Sequence, residues 1–292
     1  MKAKSIGKML LPVLSIIVIS LMSAGYINNL PAGTPQTGPV KLVYNYPAGD
    51  YVKYMHTNKI IQTMDIEGQS MQVKVNSSLG CSIRSGGTSG NTLMLEIRID
   101  TLGQTIDTPQ GYSGGAIQSV KDKSFNMSIT VSGKETDVQD AQKLVYFIEG
   151  SGETNASQLF HNFFPDLPVN PIKPGETWNA NDTSDLITPT MSMKTITNSV
   201  NKFEGIEKVN GIECAKITSE LSGTQTMRTE TQGMQISTSG SFTGTSTLLF
   251  PLNEGYFIEQ NVSARMKGII DVSGQMTFPL TMETNTSTKM LK

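Results

Sequence analysis

The chain has 292 residues, a net charge of −2, an apolar fraction of 37% and a charged fraction of 16%, against about 45–50% and 25% in ordinary globular domains. Ser and Thr, about sixty residues together, fill the deficit, and the balance excludes a coiled coil, a basic nucleic-acid binder and a self-repelling disordered chain. Two His and two Cys leave little material for a zinc site, so no metal or cofactor is expected.

Lys2, Lys4 and Lys8 precede an apolar run from Met9 to Met22, and Ser23-Ala24-Gly25 then supplies small residues. This is the order of a secretory signal peptide over residues 1–25. The run is shorter than the roughly 20 residues that a spanning helix needs; an uncleaved anchor is the alternative. Cleavage leaves 20 basic against 25 acidic residues. The expected mature chain is exported, has no membrane span and is soluble in the periplasm or cell envelope. Pro31, Gly33, Pro35, Gly38 and Pro39 mark residues 26–39 as a linker. A single β-rich domain is expected over residues 40–292, built from halves 40–150 and 177–292.

The first half reads as strands with a period of two. Val52, Tyr54, His56, Ile60 and Met64 share one parity, which turns His56 toward the interior; a lone histidine there is more often hydrogen-bonded than catalytic. Met71, Val73, Val75, Leu79, Cys81 and Ile83 form a second run, and Leu93, Leu95, Ile97 and Ile99 a third. Ser85-Gly86-Gly87-Thr88-Ser89-Gly90 between them reads as a hairpin loop, since it lacks the Lys-Ser/Thr of a phosphate loop. Gly111-Tyr112-Ser113-Gly114-Gly115 matches G-x-S-x-G, with Asp122, Asp137, Asp140 and His161 downstream in hydrolase order. A nucleophile at Ser113 needs a buried strand before it and a helix after it. Pro109 breaks the strand, so a Gly-rich loop is the expected structure and no catalytic residue is assigned. Phe125, Met127, Ile129 and Val131 close this half.

Helix is scarce. The spacing of Leu159, Phe160 and Phe163 predicts one short helix over Asn155–Phe163, capped by Thr154 or Asn155 and ended by Pro165. Pro165 to Pro171 reads as an extended crossing segment. It should dock through Phe164 and Trp178, with Lys173-Pro174-Gly175-Glu176 as a tight turn. In the second half Tyr256, Ile258, Val262, Ala264, Met266 and Ile270 share one parity, and Met276, Phe278, Leu280 and Met282 match it, with Ser273-Gly274 as the turn. A similar layout joins Tyr51, Gly68 and Met71, a weak internal echo.

Phe163-Phe164-Pro165-Asp166-Leu167-Pro168, Lys173-Pro174-Gly175-Glu176-Thr177-Trp178, Gly205, Val209 to Cys214 and Gly255-Tyr256 together resemble a family of uncharacterised exported bacterial β-rich proteins, a domain of unknown function. The resemblance covers about Leu42 to Met282. At the level of fold it is similar to the periplasmic lipoprotein-carrier architecture, which implies a curved antiparallel sheet around an apolar groove. This chain departs from that pattern in having too little helix for a full lid.

One polar and one apolar face per strand mean antiparallel sheet. Runs this long must twist and curve, with Gly233, Gly240 and Gly244 at the bends. The expected fold is therefore mainly β: a long, curved antiparallel sheet, half-barrel or clam-like, with one short helix and a Pro-rich crossing segment. A Cys81–Cys214 disulfide stays open in an export compartment. Sixteen Met, many on apolar faces, suit either an irregular core or a surface for varied apolar partners. Thr238 and Ser246 interrupt the same faces.

The expected function is non-enzymatic binding of a lipid or other hydrophobic ligand in a groove walled by Met266, Ile270, Met276, Phe278, Leu280 and Met282. The alternative is a structural or surface-interaction module with a filled core. No residue pattern specifies an oligomeric state.

Overall fold

The computed structural model describes residues 38–66, 68–148, 152–187, 191–231, 234–273 and 276–292. The stretch expected to be a signal peptide, most of the expected linker, Gly233 and Gly274 lie outside these residues.

Alternating polar and apolar residues can bury one face only as strands, and the chain does so at unusual length. The strands are β1 (Val52–Ile66), β2 (Gln69–Ser89), β3 (Thr92–Thr108), β4 (Gly111–Ala116), β5 (Ser124–Thr130), β6 (Glu135–Asp137), β7 (Val145–Ile148), β8 (Gly152–Asn155), β9 (Thr177–Ile187), β10 (Met191–Val209), β11 (Ile212–Thr231), β12 (Met234–Pro251), β13 (Glu259–Val272) and β14 (Met276–Leu291). β7 and β8 form a separate hairpin; the other twelve make one antiparallel sheet. Its order is β6-β5-β3-β2-β1-β14-β13-β12-β11-β10-β9, with β4 on the remaining free edge of β3, and it does not close into a barrel. First and last strands meet at its centre, in register from Lys53 opposite Leu291 to Met64 opposite Leu280. The two hairpins that echo each other in sequence, β1–β2 and β13–β14, thus lie side by side.

The sheet is strongly curled. A core cluster at the hairpin-tip end unites Ile106 of β3 and Val73 of β2 with Leu186 of β9 and Met193 of β10, strands far apart in the sheet order. A second, aromatic cluster fills the other end. There Tyr44, Tyr46, Tyr54, Phe163, Phe164, Phe250 and Phe257 pack against Leu95, Ile97 and Ile99. The buried tyrosine hydroxyls are satisfied: Tyr44 donates to the Pro165 carbonyl at 2.9 Å and Tyr54 to the Phe257 carbonyl at 2.8 Å. Both clusters draw on strands from both halves of the chain. Between them the inner face carries a polar belt of Asn58, Gln104, Asn201, Ser246, Gln260, Thr284 and Thr286, all buried.

Curvature follows from small residues on the concave side. Gly240 and Gly268 face each other across β12 and β13, and Gly244 faces Ala264. A Cβ on Gly268 would sit 2.3 Å from the Ser239 carbonyl oxygen and 2.9 Å from Gly240 Cα. Only glycine lets the two backbones approach this closely.

Several expectations need correction. The helix predicted over Asn155–Phe163 is confined to α2 (Ser157–Phe160). Asn155 ends strand β8, and its Oδ1 accepts the Ser157 N–H at 3.1 Å. Asn162, at φ +56°, turns the chain before Pro165 is reached. A second short helix, α1 (Gln139–Lys143), has no sequence signal, because five mostly polar residues carry no readable period. Most of Ser85–Gly90 continues β2 through a bulge at Gly86, and only Gly90-Asn91 turns. Gly111–Gly115 is strand β4 rather than a loop, with Ser113 opposite Ile106. Phe257, of the parity opposite to Tyr256 and Ile258, is the fully buried residue ahead of β13. Cys81 and Cys214 are free thiols, both buried. Burial raises both, Cys214 to about 12.

The crossing segment docks through its first residues, while Val169, Asn170 and Pro171 are exposed. Val40 and Ile172 exchange backbone hydrogen bonds at 2.8 Å, and Leu167 N–H donates to the Ser132 carbonyl at 2.8 Å. Phe163, Phe164 and Leu167 are buried, and Trp178 is half-buried against the aromatic cluster.

Candidate functional site

Among the described residues two small cavities lie inside the curl, apart from a wider and more open groove of about 760 Å³ along residues 166–172 and 175–181. The larger of the two inner cavities, of about 120 Å³, lies where the two ends of the sheet face each other. His56 and Asn58 of β1, Leu79 of β2, and Leu102 and Gln104 of β3 form one wall. Leu186 of β9 with Met191 and Met193 of β10 forms the opposite one. Tyr146 and Ile148 of the β7–β8 hairpin and Leu159 of α2 cover it, so the local hairpin and the short helix serve as a partial lid. The alternation of β7 places Tyr146 inward and leaves Val145 and Phe147 exposed. A smaller cavity of about 90 Å³ lies against Phe164, Asp182, Ser199, Phe242, Ser246 and Gln260.

Apart from Glu153, which is exposed, the polar side chains lining the larger cavity carry no charge at neutral pH. His56 Nδ1 lies 2.9 Å from Thr288 Oγ1, and its ring packs against Phe163 at 6.1 Å. Burial pushes the imidazole down to about 4, because a cation there would lose its water. Asn58 Oδ1 accepts from Thr286 Oγ1 at 2.9 Å. Gln104, 5% exposed, has an amide nitrogen with no hydrogen-bond partner among the described residues.

The six residues expected to wall a groove are brought together on one face. Met266 lies opposite Met282, Ile270 opposite Phe278 and Val272 opposite Met276 in the β13–β14 ladder. All except Met276 are buried in the tip-end cluster, and Met276 packs against it. They line neither cavity directly. Their cluster touches both, since Leu186 and Met193 also line the larger cavity and Phe242 the smaller. Sequence reasoning placed His56 inward and counted Met191 and Met193 among the methionines of apolar strand faces, but it missed Gln104 and Leu186 and did not bring these residues together, because their proximity depends on the curl.

A second constellation ties the sheet's two edges together. His161 Nε2 lies 2.9 Å from Asp182 Oδ2 on edge strand β9. Asn162 donates through Nδ2 to the same carboxylate at 2.7 Å and through its backbone N–H to Glu135 of edge strand β6 at 2.9 Å. Burial opposes the charged His161 ring, yet the Asp182 carboxylate and then Glu135 hold it above its ordinary value. The His161 hydrogen bond lowers Asp182, and burial pushes Glu135 up to about 7. Between pH 4.5 and 7 the folded protein therefore keeps a Glu135 proton that the unfolded chain releases, and this residue's contribution to stability falls as pH rises. Glu135→Gln retains an acceptor for the Asn162 N–H and does not titrate. Relative to wild type it is expected to be near neutral in the acid part of this window and more stable by on the order of 2 kcal/mol above it. Urea denaturation followed by fluorescence of Trp178, the only tryptophan, measures the difference. A gap that does not widen with pH would contradict a raised carboxyl at this position.

Among the described residues no group of three or more His, Cys, Asp or Glu is placed to hold a metal ion, and no helix is long and apolar enough to cross a membrane.

No family model matches the chain, and no curated protein matches it. Crystal structures that overlap it include Pseudomonas aeruginosa OpdQ, with a TM-score of 0.29 and 6% identity over 83% of this chain and 100% of the other. Pseudomonas aeruginosa OccK5 (OpdH) overlaps with a TM-score of 0.29 and 5% identity over 85% of this chain and 100% of that one. TM-scores this low do not indicate a shared fold, and they say nothing about what this chain binds.

Proposed function

We propose that this is an exported, non-enzymatic protein of the cell envelope that holds a hydrophobic ligand inside its curled sheet. The observation that carries the reading is the apolar cavity between the two ends of the sheet. It is walled by Leu79, Leu102, Leu186 and Met193 and covered by a hairpin and a helix. Removing apolar ligand surface from water there contributes about 25 cal/mol per Å² before entropic costs. Met266, Ile270, Met276, Phe278, Leu280 and Met282 act one layer behind this wall. Met64, Met227, Met266 and Met282 make that layer deformable, so it can yield to a longer apolar chain. Export is supported by Lys2, Lys4, Lys8 and the apolar run that follows. A non-catalytic role is supported by Ser113, which sits in strand β4 opposite Ile106 instead of on a strand-to-helix turn.

Native mass spectrometry of the mature protein purified from envelopes, with lipid extraction of the same sample, tests the reading. A lipid-sized adduct that an added apolar competitor displaces is expected. A bare mass together with no uptake of the neutral probe N-phenyl-1-naphthylamine would overturn it. The closely filled tip-end cluster favours a second reading, a structural module whose interior holds no ligand, and that result would leave it standing.

A further inference from the structure

We propose that the cavity between β1–β3 and β9–β10 receives a small neutral apolar group, a single ring or a short branched alkyl, bearing one hydrogen-bond acceptor that the Gln104 amide engages. This ligand class rests on the hydrophobic-ligand reading of the same cavity. The size comes from the volume of about 120 Å³, close to the roughly 150 Å³ of an apolar cavity that takes up benzene. The acceptor comes from Gln104. Its side chain is 5% exposed, it lines the cavity, and its Nε2 has no partner among the described residues. A buried amide donor without a partner is costly, so a ligand that supplies an acceptor is favoured over one of equal shape that does not.

Neutrality comes from the charges. Among the described residues no Lys or Arg lines the cavity, and its one acidic residue, Glu153, is exposed and disfavours an anion. His56 is held at Thr288 Oγ1 and stays uncharged at neutral pH because it is buried. An ammonium group has no acceptor to offer Gln104, and a carboxylate or phosphate finds no cation. Leu79, Leu102, Leu186 and Met193 then select against water and favour an apolar body.

Titration of the full-length mature protein with toluene, benzonitrile and benzoate separates these requirements. The readout is the 13C-methyl resonances of Met191 and Met193, assigned through Met→Leu variants. Benzonitrile is expected to bind about tenfold more tightly than toluene, and benzoate not to bind. Gln104→Leu should abolish the preference, so that the two neutral probes bind equally. Gln104→Met provides the same test if the leucine variant does not fold. Equal affinities for the two neutral probes, a preference that survives both variants, or binding of benzoate would overturn the assignment. If no small probe binds but the native protein carries a displaceable lipid, the subsite assignment fails and the hydrophobic-ligand reading stands. If neither is seen, both fall.

Discussion

Phe278→Asp is expected to abolish cooperative folding at neutral pH. Phe278 is 8% exposed, lies opposite Ile270 on the concave face and packs in the tip-end cluster. Truncating the ring removes roughly 2–3 kcal/mol of apolar burial. The carboxylate then either stays charged without a cation or takes up a proton, and each route costs several kcal/mol more. Together these losses match the whole stability of a typical domain, about 5–15 kcal/mol. Phe278→Leu keeps an apolar group of similar shape and should stay within about 1.5 kcal/mol of wild type. Circular dichroism melts of the two variants make the comparison. Protonation in acid should recover part of the Asp variant's structure, because the penalty belongs to the charge. A wild-type melt for Phe278→Asp at pH 7 would remove this strand from the core.

Gly268→Val should cost at least about 3 kcal/mol, at the upper end of overpacking losses. The added Cβ meets the Ser239 carbonyl oxygen at 2.3 Å and Gly240 Cα at 2.9 Å. Both are backbone atoms in a continuous ladder, so neither can rotate away as a side-chain tip would. Relief requires β12 and β13 to separate, which flattens the curl on which the cavity and the tip-end cluster depend. Gly49→Ala is the control: nothing lies within 4 Å of its Cβ position, and its φ is not left-handed. That change should stay within about 0.5 kcal/mol. Urea denaturation followed by Trp178 fluorescence gives both numbers. A Gly268 variant as stable as the Gly49 variant would mean that the concave approach of β12 and β13 does not hold the sheet's shape.

Both results depend on a sheet whose local plan is written in the chain and whose shape is not. The run Met276, Phe278, Leu280, Met282 alternates because each residue's neighbours in sequence point to the opposite face of a strand. That periodicity is a local property, so it identifies β14, its inner face and its pairing with β13 across a short turn. The same reasoning singled out Gly240 and Gly244, where the backbones of β12 and β13 approach closely, and placed His56 inward. It failed where the local signal was weak or was overridden by a partner strand. Gly111–Gly115 carries loop-like glycines, yet its backbone groups pair with β3 and make it strand. Asn155 has the composition of a helix start, yet pairing with Val145 holds it in β8.

The sequence by itself determined that the chain is mainly antiparallel β, with long amphipathic strands, little helix, an extended Pro-rich crossing and, in residues 1–25, the order of an export signal. Only the tertiary structure decided that β3 and β9 meet across a cavity, that Gln104 and Met193 share it, and that His161 and Asn162 bridge edge strands β6 and β9. The physical reason is one of range. Which face a strand buries follows from neighbours two residues away. Which strands meet across the curl depends on many small twists and on glycine contacts accumulated over the whole sheet, and no window of sequence contains that sum.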